Sequence, residues 1–269
     1  MSFGPNPWQQ TNWDWRAAGN FMGGGAGAGL VVWTVVAGAH PALLVAGLAL
    51  IGAGLLCVWA EIGRPLRALH VFFNPQTSWM TREGMVAMLL MPVGLASAVL
   101  WPQLAPAAAV LALGFIYCQG RILHMAKGIP AWREPRVVPL IVATGLAEGG
   151  GLLMLAAPAL VSAQAWLFGL AALLLIVRIV FWAEYHKRLG ARARTALAAV
   201  ERGLLWGGTL VPLALMALVA AGLLPTLLLA PAGLLAAAAG AWFKFALITR
   251  AGFNQGFALT HLPVRGVRR

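Results

Sequence analysis

Charge is scarce in this chain. Only 10% of its residues are Asp, Glu, Lys or Arg, while 61% are hydrophobic and the mean hydropathy is +0.83. That balance excludes an ordinary soluble domain and marks a membrane protein. Cysteine is scarcer still. Cys57 and Cys118 stand alone within apolar stretches, with no CxxC and no four-cysteine cluster, which excludes an iron–sulfur cluster or a disulfide framework of the chain's own. Alternating segments of about ten residues are also missing, so the spans are helices and not barrel strands. What is present is a series of continuous apolar stretches, at 20–39, 42–60, 84–101, 105–123, 138–157, 164–183, 203–223 and 226–248. At roughly 20 residues per helical span, eight spans use about 160 residues. A soluble catalytic domain has no room. Met1 to Gln10 is polar, holds two prolines and lacks a basic region; no signal peptide is expected, and the first span is retained.

Lys and Arg are absent from the short turns after the first, third, fifth and seventh stretches (40–41, 102–104, 158–162, 224–225). All 19 lie in the N-terminal arm, the connections around 61–83, 121–137 and 184–202, the C-terminal tail, or within a few helical turns of these. Cationic connections stay in the cytoplasm. The pattern predicts an even number of crossings of the cytoplasmic (inner) membrane, with both termini and the three long connections cytoplasmic. The organisation expected is an interfacial arm at 1–19, an eight-helix domain at 20–249 and a basic tail at 250–269. The net charge of +12 reads as this topology signal and as a contact surface for anionic lipid headgroups, not as a nucleic-acid interface.

The first stretch opens Asn20-Phe21-Met22-Gly23-Gly24-Gly25-Ala26-Gly27-Ala28-Gly29. No strand pattern precedes it, so a dinucleotide loop is disfavoured, and small residues four apart predict close helix packing in lipid. Trp8, Trp13, Trp15, Trp79, Trp132 and Trp182 lie near polar edges and read as an interfacial belt.

Several ionisable groups sit at or within the spans: Glu61, Glu83, Glu148, Arg178 and Lys244. A lone charge at mid-bilayer costs at least about 2.5–3.5 kcal/mol, so such a group pairs, protonates or lines a wet cavity. For Arg178 and Lys244, snorkelling to the interface is an equal alternative. Glu148, about seven residues from the nearest helix end and flanked by Gly145 and Gly149 to Gly151, has less access to that escape.

Two connections carry motifs. One runs Ala60-Glu61-Ile62-Gly63-Arg64-Pro65-Leu66-Arg67-Ala68, then Ser78-Trp79-Met80-Thr81-Arg82-Glu83; the other runs Arg121-Ile122-Leu123-His124, then Lys127-Gly128-Ile129-Pro130-Ala131-Trp132. They resemble the membrane-anchor family of dimethyl-sulfoxide and polysulfide reductases, often called NrfD-like or DmsC-like. Those anchors show a His/Glu-x-Gly-x-Pro-x-Arg-Ala element, a Ser-Trp-x-x-Arg/Asn-Glu element and a later Pro-x-Trp.

The resemblance implies an all-α bundle of eight transmembrane helices in two four-helix halves. It also implies an anchor that exchanges electrons between a four-cluster iron–sulfur subunit and quinone (ubiquinone or menaquinone), while a molybdopterin subunit handles substrate. By the same resemblance Glu83 falls on the family's quinol-site glutamate. Glu61 falls where those anchors carry a histidine, a departure that still leaves a group able to exchange a proton. Asn20 resembles a quinone-contacting polar residue on the first helix, and Tyr117 a family tyrosine. Arg67, Arg121 and His124 would border the pocket.

Elementary chemistry supports the grouping. Quinone reduction consumes two electrons and two protons, so each oxygen needs a hydrogen-bond donor or proton relay. Asn20, Glu61, Glu83, Tyr117, Arg121 and His124 all fall at the predicted cytoplasmic ends of helices one to four.

The family's better-known members hold their partners outside the cell. Here that face carries the cations, so the partners are expected in the cytoplasm, where acyl-CoA thioesters are available. The tail Arg250-Ala251-Gly252-Phe253-Asn254-Gln255-Gly256-Phe257, then Pro263-Val264-Arg265-Gly266, looks like the branch that includes phenylacetyl-CoA:acceptor oxidoreductase. Haem is disfavoured, because axial ligation needs two histidines on facing helices. His40, His70, His124, His186 and His261 lie at edges or in connections. No covalent or metal cofactor is expected. Three alternatives stand beside this reading: a quinol-oxidising anchor of an exported sulfur- or sulfoxide-type reductase, an ion-translocating module built on Glu148, Arg178 and Lys244, and a purely structural anchor.

Overall fold

The computed structural model describes residues 4, 6–61, 70–160 and 165–257. Among them it is all-helical, with one isolated antiparallel bridge between Gln9 and Phe253. The long helices are α1 (Trp15–Val36), α2 (Pro41–Glu61), α3 (Trp79–Val99), α4 (Ala105–His124), α6 (Val137–Leu160), α7 (Ala165–His186) and α10 (Leu229–Thr249). A short α5 (Pro130–Arg133) precedes α6. Between α7 and α10 runs a continuous element: α8 (Ala191–Arg202), a π-helical segment (Gly203–Leu210) and α9 (Val211–Ala220).

Seven helical stretches among the described residues are long and apolar enough to cross a membrane. Large apolar side chains point outward along them, including Leu56, Val110, Leu173 and Leu234. An aqueous protein buries such residues, whereas lipid accepts them. The chain is an all-α, multi-pass membrane protein. α1 is not among the seven, because glycine dilutes its hydropathy, yet it is 22 residues long. It lies at the centre, packed on α2, α4, α6 and α10.

The glycines of α1 explain that position. A methyl group on Gly23 would lie 2.8 Å from the Leu50 carbonyl of α2, and one on Gly27 would meet the Gly47 carbonyl. On the other side, Gly29 meets Gly145 and Gly149 of α6. Close approach of backbones replaces the hydrophobic effect, which has no force between helices in lipid.

α1 starts at Trp15, ahead of the apolar stretch, because Asp14 caps it: the Arg16 N–H donates to Asp14 Oδ1 at 2.8 Å. Capping supplies a partner to an orphan N–H that hydropathy does not see. The same ion pair with Arg16, at 2.9 Å, holds the Asp14 carboxyl below the ordinary carboxylate range. Likewise, much of the 184–202 connection is helical, continuing α7 and forming α8.

The arm, the 125–136 connection and the end of α10 share one end of the bundle. Gly4 N donates to Gln255 O at 2.7 Å, Gln10 N to Gly252 O at 2.8 Å, and Asn254 N to Trp8 O at 3.0 Å. Trp132 stacks on Trp13 at 4.9 Å and donates to Leu247 O at 2.9 Å. Tyr185 donates to Ala131 O at 2.9 Å. Two tryptophans therefore leave the expected interfacial belt. Trp132 and Trp182 are buried, because the connections fold over them and give Trp132 an indole N–H partner.

Candidate functional site

The start of α3 is fixed before it reaches Glu83. Ser78 caps it, its hydroxyl accepting from Thr81 N at 3.2 Å, and the Thr81 hydroxyl donates to the Val71 carbonyl. Arg82 turns outward and donates to Pro75 O at 2.9 Å and Gln76 O at 2.8 Å. With residues 81 and 82 committed, Glu83 points inward and is buried. There Asn20 of α1, also buried, donates from Nδ2 to Glu83 Oε1 at 3.2 Å.

This pair stands at the wall of a cavity of about 710 Å³ between α1, α2 and α3, open on the bundle's flank. Apart from Asn20 and Glu83 its lining is apolar, with Leu55 and Trp59 from α2, Phe72 from the connection and Met88 and Met91 from α3. Pro92 in α3 cannot donate to the Met88 carbonyl in the usual α-helical bond, so the helix is weakened beside the groove. Behind the pair lies a second, small cavity of about 40 Å³. Asn20, Glu61 and Glu83 line it together with Trp13 and Ile122.

Three of the sequence-predicted residues thus converge: Asn20, Glu61 and Glu83. Tyr117 does not join them. It lines a separate apolar groove of about 450 Å³ between α4, α6 and α7, with Pro139, Val142 and Phe181. Its ring meets Trp79 edge-on at 5.7 Å. The Arg121 guanidinium stands 4.7 Å over Trp79, and Arg82 stands 4.2 Å from the same ring. Arg121 therefore braces the first turn of α3, without lining the Glu83 groove. His124 is half-buried at the end of α4, with Nδ1 unpartnered, and it too lies off the groove. Arg67, with most of the Glu61-to-Ala68 motif, lies outside the described residues, as does the 263–266 part of the tail motif.

Sequence reasoning missed Gln119. This fully buried amide of α4 donates from Nε2 to the Asn20 carbonyl at 3.0 Å, and its side chain faces Glu83. The signal was available: an amide inside an apolar span is costly unless bonded.

A second polar centre lies deeper. Glu148, Arg178 and Lys244 are all fully buried. Lys244 Nζ lies 2.5 Å from Glu148 Oε2. Arg178 donates from Nη1 to Ala236 O at 2.9 Å and from Nη2 to the Gly208 carbonyl. That carbonyl is available because Pro212, four residues on, has no N–H to give it. Arg178 and Lys244 do not snorkel. α6, α7 and α10 enclose them, so pairing replaces the reach to water.

The groove can take a ligand with an apolar tail and an oxygen-bearing head, and Glu83 can exchange a proton with that head. In comparisons with known proteins, the chain matches no protein-family model and no curated protein sequence.

Proposed function

We propose that this protein is the quinone-reactive membrane anchor of a multi-subunit molybdopterin/iron–sulfur oxidoreductase. The observation that carries the reading is the buried Asn20–Glu83 pair at the wall of a large apolar groove open on the bundle's flank. An isoprenoid quinone needs that combination: an apolar channel for the tail and, at its polar spot, a group that gives or takes a proton. Glu61, across the small cavity from Glu83 and only part-buried at the end of α2, would pass protons between Glu83 and the aqueous face.

In this reading α1 is the eighth span and both termini are cytoplasmic. The pairing of the arm with residues 252–255 supports an even number of crossings, since paired segments share one side. The cationic connections support a cytoplasmic location for that side in the inner membrane. A four-cluster iron–sulfur subunit would dock there, beside a molybdopterin subunit acting on an acyl-CoA such as phenylacetyl-CoA.

The decisive experiment is Glu83→Gln in the intact complex, with electron transfer to a soluble quinone as readout. Loss of quinone-linked turnover, with the partners' artificial-dye activity retained, supports the reading; unchanged quinone turnover refutes it. Alkaline-phosphatase and green-fluorescent-protein fusions after Arg269 test the orientation. Phosphatase activity without fluorescence would move the partners outside and favour the exported reductase-type anchor.

The buried Glu148–Lys244–Arg178 cluster favours ion translocation as a second reading. A through-membrane relay also needs polar groups in the other half of the bundle. The buried polar residues described there, Thr34 and Ser97, bond carbonyls of their own helices at 2.8 Å. Electroneutral quinone chemistry is the better fit.

A further inference from the structure

The two polar centres are joined, and the join has a direction. Gln119 lies between them. Its Nε2 donates to the Asn20 carbonyl at 3.0 Å, while its Oε1 is buried and makes no hydrogen bond. A methyl group built on Gly25 would meet Lys244 Nζ and lie 3.2 Å from Gln119 Oε1. The missing side chain at Gly25 therefore lets the ammonium approach the amide oxygen. Only one orientation of the amide suits this place. Turned over, its NH₂ would face an ammonium and its oxygen would face the Asn20 carbonyl. Lys244 thus locks Gln119 with its donors toward the Glu83 side.

The next amide follows suit. Asn20 commits Nδ2 to Glu83 at 3.2 Å, and its Oδ1 is left buried and unpartnered in a residue that lines the groove. Donors along the line Lys244, Gln119, Asn20 run toward the carboxylate and are used inside the protein. Acceptors remain for the ligand: Asn20 Oδ1 and the Glu83 carboxylate.

We propose that Gln119, held by Lys244, is a positioning residue that sets the redox-form preference of the groove, so that the hydroxyl-bearing quinol is held more tightly than the carbonyl-bearing quinone. The inference rests on the quinone reading above and adds to it the form that the resting site recognises. Hydroxyl groups donate to the waiting acceptors, whereas a quinone carbonyl brings a further acceptor to them. A buried polar atom left without a partner costs about 1–3 kcal/mol, which corresponds to about tenfold or more in affinity.

The test uses the full chain in lipid nanodiscs under anaerobic conditions. Decyl-ubiquinol and decyl-ubiquinone are the probes, with equilibrium binding as the readout. Wild type is expected to bind the quinol about tenfold more tightly. Gln119→Leu frees the Asn20–Glu83 pair to turn a donor to the groove and brings the ratio near one. Gly25→Ala pushes the Lys244 ammonium aside while removing no polar group, and should move the ratio the same way. This second variant covers the case in which Gln119→Leu fails to fold, as judged by circular-dichroism melting. Equal or tighter binding of the quinone by wild type overturns the inference and leaves the quinone reading intact. A folded variant pair that keeps the wild-type ratio also overturns it. Binding of neither form by wild type sinks the quinone reading, and this inference with it.

Discussion

The α1–α3 wall and the α6–α10 interior place similar residues in different circumstances. In the first, a carboxylate and an amide stand beside a groove of about 710 Å³. In the second, a carboxylate, an ammonium and a guanidinium are sealed from all solvent and bonded to one another or to freed carbonyls. Burial alone does not separate them, since Glu83 is nearly as buried as Glu148. What differs is what lies next door. A polar group beside an apolar cavity has chemistry to offer; one whose neighbours already satisfy it holds helices together.

The comparison breaks first at the sealed cluster. Glu148→Ala leaves two buried cations without their counter-ion and should destabilise the protein by about 3–5 kcal/mol. The paired change Glu148→Gln with Lys244→Met should recover most of that, since it removes both charges. Thermal unfolding in detergent gives the measurement, and equal losses in the single and double variants would deny that the cluster is a structural pair. Glu83→Gln should behave oppositely: folding stays near wild type while quinone-linked turnover falls about a hundredfold or more, the scale of a lost proton-transfer group.

Packing offers a sharper, smaller contrast. Gly151→Ala would set a methyl 2.5 Å from the Gly233 carbonyl and cost about 1–3 kcal/mol, whereas Gly207→Ala meets nothing within 4 Å and should be tolerated. Tyr117→Phe should leave quinone turnover within about twofold, because the hydroxyl lines a different groove. A large loss would return Tyr117 to the site. The smallest effect belongs to Asp14, whose carboxyl Arg16 holds below the ordinary range. A depressed folded-state value gives stability that is present above the unfolded carboxylate range and lost as pH falls through the folded one. Asp14→Asn should flatten that acid limb in a melting-versus-pH series.

The membrane class was legible in the sequence because hydropathy records burial in lipid directly. The convergence of Asn20, Glu61 and Glu83 was legible because the cations mark one end of the bundle and helix ends are easy to place. Gln119 was not, since nothing in a lone amide says which carbonyl it will reach 99 positions away. Tyr117 went astray for a related reason. Hydropathy places a residue along a helix but not around it, and the face of α4 that carries Tyr117 turns toward α6 and α7. The glycine run was read as packing, which holds for Gly23, Gly27 and Gly29. Gly24 and Gly25 instead clear space for Gln119 and Lys244, a use that appears only once the neighbours are known.

The π-helical turn at Gly203–Leu210 has a consequence for how this sequence can vary in length. An α-helix advances about 100° per residue, so the wider turn sets the rotational phase of everything after it up to Ala220. Deleting one residue there would leave the apolar run intact and every hydropathy profile unchanged. It would nevertheless rotate α9 by about 100°, swing Met216 and Val219 out of the core, and carry Pro212 and the carbonyl it exposes away from Arg178. For this stretch the count of residues matters more than their polarity, and a gain or loss of one is a harsher change than most substitutions.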